Sequence, residues 1–158
     1  MSVAQAEDYS LTDSHVVSLY RNILVPWETT YGAVLTHWSA QHIDDWPAFL
    51  RITVTSVTAP ELDEHLQSLL DDNILNFFVF VRRKSKGWDL FCHLRNAVAH
   101  AGVTRHPQLN GTALLRFKTP GPGKKGVAMV GQLEEQHLPA LLTKLHAMAR
   151  GALEHREA

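Results

Sequence analysis

Three side chains with chemical capacity lie close together in the run LRNAVAHAG, residues 94–102: Arg95, Asn96 and His100. Histidine can take or give a proton near neutral pH. Arginine stays charged and grips phosphate through two parallel N–H donors. Asparagine can hold an imidazole in one orientation or contact a phosphate itself. Together these groups suit cleavage of RNA without a metal. The 2′-hydroxyl would attack its neighbouring phosphate, His100 would move a proton, and Arg95 would stabilise the charge building on the phosphorus oxygens. DNA lacks that hydroxyl and would not react this way. A blander reading competes: an arginine and a histidine at this spacing are common by chance, and the three can be polar positions on a half-buried helix.

The elements around them decide what they can reach. Small, helix-forming residues place the run on a helix over about 86–101, with Gly102 a natural residue just past its end. At about 100° per residue, Leu90, Leu94, Ala97 and Ala101 form one stripe facing the core. His93, Asn96 and His100 fall on a second face, about 60–120° to one side. Asn96 and His100 are an i, i+4 pair able to touch; His93 shares their face as a candidate supporting residue. Arg95 lies about 140° round the axis from His100, so one ideal helix does not aim both at a single point. Either the long arginine bends round the helix end, or two copies of the helix pack about a two-fold axis and pool their polar groups.

Elsewhere, Val16, Leu19, Tyr20, Ile23 and Leu24 mark a helix over 13–25, with Pro26 a stop or kink and a second helix over about 27–40. Residues 44–59 carry the β-branched run RITVTSVT but have helix-like flanks, and are read as helix. Thr58 and Glu61 form a capping pattern that opens a long helix over about 60–82. TALLRFK and GVAMVGQ, joined by TPGPGKKG, predict a β-hairpin over about 112–131. Leu138, Leu141, Leu142, Leu145 and Met148 predict a last helix over about 134–154. The expected fold is mainly α: one domain over residues 1–158, a helical bundle with a short β-hairpin inserted before its last helix.

A net charge of −1 over 158 residues argues against nucleic-acid binding through overall charge, so any such binding needs a local basic patch. Arg82, Arg83, Lys84 and Lys86, just before the motif helix, are candidate RNA-backbone contacts, as are Lys118, Lys124 and Lys125 of the hairpin. A solvated turn is the plain alternative for each group. GPGKKG is not a phosphate loop, since no hydroxyl residue follows its lysine and no helix starts there. The lone Cys92 precludes an intrachain disulfide and fits a reducing, cytoplasmic setting. His137, His146 and His155 recur every nine residues and so alternate faces by about 180°, which leaves no metal site. Trp27, Trp38, Trp46 and Trp88 read as core or interface anchors. The polar, acidic start is not that of a secretory signal, and no apolar run reaches the ~20 residues of a membrane span.

LRNAVAHAG resembles the Arg-x4–6-His motif of the HEPN domains, in whose nuclease members arginine is followed by a polar residue, often asparagine, and then histidine. Arg95, Asn96 and His100 match those positions. The likeness is to the prokaryotic plasmid- and chromosome-encoded HEPN proteins, whose motif reads much like LRNAxAHG, and it covers roughly residues 60–155. The departure is HAG where many relatives have HG, which touches only the helix end. The resemblance implies an α-helical, homodimeric, metal- and cofactor-independent ribonuclease with two Arg/His sets facing each other at the dimer interface. Arg95 and His100 would be catalytic and Asn96 supporting. It also implies RNA as substrate, tRNA in some members, and a toxin or defence role restrained by an antitoxin or other regulatory protein. Some members have lost catalysis and act as binding or scaffold modules, which is the alternative reading.

Overall fold

The computed structural model describes residues 13–31, 51–121 and 126–157. The first helix, α1 (Asp13–Leu19), continues through π-helical turns at Tyr20–Leu24 and Trp27–Tyr31. Pro26 therefore does not end the helix. It has no N–H to give the Asn22 carbonyl four residues back, and that carbonyl instead lies 2.8 Å from His146 Nε2, which donates to it. The buried residues here are Leu19, Ile23, Trp27 and Tyr31, spaced by four, while Val16 and Tyr20 are exposed. In a pure α-helix such a series drifts by about 40° per step; the extra residue in each π turn offsets that drift.

The rest of the chain departs from the expected bundle. Five strands form one mixed sheet: β1 (Thr53–Val57), β2 (Phe77–Val81), β3 (Val103–Pro107), β4 (Ala113–Pro120) and β5 (Val127–Glu134), in the order β1-β2-β5-β4-β3. β1 runs parallel to β2 and the other pairings are antiparallel. The expectation of a mainly α fold is thus overturned: the protein is α/β. Two misread segments account for most of the difference. Within 44–59 the described residues, 51–59, contain β1, formed by the β-branched run; residues 44–50 lie outside the described residues. The helix expected over 60–82 is two elements. A 3-10 turn (Ala59–Glu61) and α2 (Leu62–Asp71) follow the Thr58 cap, whose N–H donates to Glu61 Oε1 at 3.1 Å. The helix ends at Asp71, Asn73 adopts φ 56° just beyond it, and the chain re-emerges as β2. FFVFV is buried on both faces and so carries no helical or alternating period to betray it.

α3 (Lys86–Ala99) carries the motif, and α4 (Leu138–Glu157) closes the chain after a 3-10 turn at Glu135–His137. The β4–β5 pair coincides with the hairpin read near 112–131, although Lys124 and Lys125 in its loop lie outside the described residues, as do Trp38 and Trp46. The main core lies on one sheet face. There α1 with its π turns, α3 and α4 pack on Val54, Phe78, Phe80, Leu115, Phe117, Met129 and Leu133. α2 covers the opposite face over Val57, Phe77 and Val79. Gly131, opposite Phe78 in the register, leaves the space that the phenyl ring fills. No described helix is long and apolar enough to cross a membrane.

Candidate functional site

α3 is held at its start by a buried acid. Asp89 is fully buried and accepts the backbone N–H groups of Arg83 (2.8 Å) and Lys84 (2.9 Å), folding the basic turn back onto the helix. Arg82 Nη2 donates to the Ser56 carbonyl at 3.2 Å, and Lys84 Nζ sits 4.4 Å from the centre of the Trp88 ring. Arg82, Arg83 and Lys84 are exposed, so all three can meet solvent anions. They and Lys86 stand at the opposite end of α3 from His100, about 20 Å away at 1.5 Å per residue. The structure therefore does not gather the basic turn around the motif. Lys118 is nearer: its exposed side chain projects from β4, and its backbone N–H donates to Gly102 O at 2.8 Å.

His93 is a core residue. It is 0% exposed, beside the Phe80 ring, and its Nε2 donates to the Val81 carbonyl at 3.1 Å. Nδ1 is buried and has no partner among the described residues. Burial pushes the imidazole pKa down, against a smaller upward pull from the Val81 hydrogen bond, so the neutral form is favoured. His93 thus parts company with Asn96, which is half-buried, and His100, which is exposed. Cys92 is buried and its thiol pKa is raised by burial; Asn96 Nδ2 lies 3.9 Å from its sulfur.

Arg95 points toward the first helical segment. Its Nε donates to Glu28 Oε1 at 2.6 Å, Nη2 donates to the same oxygen, and Nη1 donates to Asn96 Oδ1 at 2.9 Å. The arginine side chain is 30% and the glutamate 48% exposed, so the pair adds roughly 0.2–1 kcal/mol to stability. Glu28 is carried between Trp27 and Tyr31, both buried. Their rings lie 5.4 and 5.7 Å from that of Phe91, one helical turn before Arg95. No local pattern marks Glu28 as part of the site, because it is 67 residues from Arg95 in sequence.

The end of α3 resolves the HAG spelling. His100 is the C-cap residue, and Ala101 after it adopts the left-handed conformation at φ 54°. Gly102 N–H donates to Ala97 O at 2.6 Å and Ala101 N–H to Val98 O at 3.3 Å, the paired bonds of a Schellman turn. Ala101, not Gly102, therefore takes the left-handed position. Gly102 is required for another reason: a Cβ there would lie 2.1 Å from the Lys118 carbonyl oxygen. The His100 side chain stays in solvent, and within one chain the guanidinium of Arg95 is bonded to Glu28 and Asn96 rather than turned to His100.

Away from the motif, a cleft of about 910 Å³ opens between the first helical segment, the β3–β4 turn and α4. Arg105 and Glu135 pair across it (Nε to Oε2, 2.5 Å), and His15 Nε2 lies 3.3 Å from Glu135 Oε1. Among the described residues no three His, Cys, Asp or Glu side chains are grouped as a metal ion would need. No family model, curated protein or solved structure matches the chain.

Proposed function

We propose that this protein is a metal-independent endoribonuclease acting through Arg95 and His100, with Asn96 in support, as a homodimer whose two motif helices face each other. One observation carries the reading: Arg95, Asn96 and His100 share the last turns of one helix, with the guanidinium held in place and half-open and the imidazole open to solvent. A free imidazole can move the 2′-hydroxyl proton, and a fixed guanidinium can stabilise the pentavalent phosphorus centre. A second copy of the helix supplies what one chain lacks, an arginine and a histidine aimed at the same phosphate. The likeness to the HEPN motif rests on these three residues. The mixed sheet is not part of the helical architecture that the likeness implies, so the motif and not the fold supports this reading. An RNA oligonucleotide incubated with the protein in excess chelator tests it. Cleavage that persists, and is lost in Arg95→Ala and His100→Ala with unchanged far-UV circular dichroism, is expected. Activity that vanishes on chelation, or normal cutting by both variants, would sink the proposal.

One observation favours a second reading. The Glu28 carboxylate already neutralises Arg95, which suits a catalytically silent module that binds RNA, a nucleotide or a protein partner through the same surface. Expression separates the two: an active toxin arrests growth of its host and His100→Ala relieves the arrest, whereas a binding module does neither.

A further inference from the structure

We infer that Glu28 is a positioning residue for Arg95, so that the first helical segment forms part of the reactive site; this rests on the ribonuclease reading above. A guanidinium has five N–H donors. Glu28 takes one from Nε and one from Nη2, and Asn96 takes one from Nη1. One N–H on each terminal nitrogen remains for phosphate oxygens. Two different anchors, one from α3 itself and one from a segment remote in sequence, thus fix the plane of the group before any substrate arrives. Such pre-set geometry is what a step dominated by charge stabilisation requires.

The backbone that carries Glu28 is anchored. Trp27 and Tyr31 flank it, both buried, and both rings meet Phe91. Trp27 also meets Trp88 at 5.2 Å. Phe91 and Arg95 are an i, i+4 pair, so the aromatic clasp that docks the π turn on α3 also sets Glu28 over the arginine. The two anchored rings keep the Glu28 backbone beside Arg95 whether or not substrate is bound. The half-exposed pair contributes too little to stability for that alone to account for it.

Single-turnover and steady-state cleavage of an RNA oligonucleotide in excess chelator, by wild type, Glu28→Ala, Glu28→Asp, Arg95→Ala and the Glu28→Ala/Arg95→Ala double variant, tests this. Glu28→Ala should lose about 100-fold in kcat, the scale of a misplaced reacting group, with KM changed by less than about threefold. Glu28→Asp should recover part of the loss. The double variant should be no slower than Arg95→Ala, because removal of the anchored group makes the anchor irrelevant. Melting temperatures should move by about 3 °C or less, so that unfolding cannot account for the loss. If Arg95→Ala is inactive but Glu28→Ala cuts at the wild-type rate, the positioning role is wrong. A faster Glu28→Ala would make Glu28 a competitor of phosphate and also overturn it. Normal cutting by Arg95→Ala would instead overturn the ribonuclease reading, and a wild type that cuts nothing would overturn both.

Discussion

The turn after His100 offers two adjacent substitutions with opposite expected signs. Ala101 sits at φ 54°, a conformation that costs an L-residue about 1–2 kcal/mol. Glycine removes that cost but gives the unfolded chain extra freedom worth about 0.4–1 kcal/mol. Ala101→Gly should therefore stabilise the protein by about 0.5–1 kcal/mol, the difference of the two effects. Gly102→Ala has the reverse unfolded-state effect, a gain in stability of about 0.4–1 kcal/mol, but meets a backbone atom. The added Cβ would lie 2.1 Å from Lys118 O, so the two must separate by about 0.9 Å to reach even the 3.0 Å that real contacts respect. Neither side can yield freely. Gly102 N–H is bonded to Ala97 O, and Gly102 O accepts the Lys118 N–H. Overpacking of this kind costs about 1–3 kcal/mol, and the clash with main chain puts Gly102→Ala toward the upper end. Urea titration followed by circular dichroism reads both. A higher midpoint for Ala101→Gly and a clearly lower one for Gly102→Ala are expected. A neutral or destabilising Ala101→Gly, or a Gly102→Ala as stable as wild type, would refute the Schellman assignment at the end of the motif helix.

Two further outcomes follow from the core. His93 is buried neutral, with its pKa held below the ordinary value near 6.5. Protonation then favours the unfolded chain, so the stability tied to this group is present above pH about 6.5 and falls as the pH drops toward the depressed folded-state pKa. Urea midpoints measured from pH 8 to pH 5 should fall for wild type, and the fall should be shallower in His93→Gln; an equal slope in both would contradict the buried assignment. At Gly131 a Cβ would lie 2.3 Å from Cδ1 of the fully buried Phe78 ring. Gly131→Ala should therefore cost about 1–3 kcal/mol, read as a lower melting temperature, and Phe78→Leu in the same chain should recover part of it by vacating the space.

What could be read from the residues alone was what is local. Arg95, Asn96 and His100 lie within two turns of one helix, so their order survives whatever the rest of the chain does. The hairpin is legible because prolines and glycines punctuate two short β-like runs. β1 and β2 are not. A strand buried on both faces, as β2 is, looks like a helix core until its neighbours are known, and the helix end at Asp71 hides within a polar turn of ordinary composition. That error turned an α/β sheet into an expected bundle. Its angle on the helix puts His93 on the motif's polar face, but tertiary packing of α3 on the sheet buries it. Glu28 was invisible because its relation to Arg95 depends on a π turn packed across 67 residues of chain. Ala101, directly after His100, takes the left-handed position without being a glycine, while Gly102 is fixed by the close approach of the Lys118 carbonyl instead.

The most direct test of the central claim is the chemistry of the cut end. An RNA oligonucleotide cleaved by the purified protein in excess chelator should carry a 2′,3′-cyclic phosphate on its 5′ fragment, by mass spectrometry, and a single 2′-deoxy substitution at the scissile nucleotide should block the cut. Cleavage that proceeds at the deoxy position, or a 3′-hydroxyl end, would show that no 2′-hydroxyl attack takes place and would contradict the roles given to Arg95 and His100.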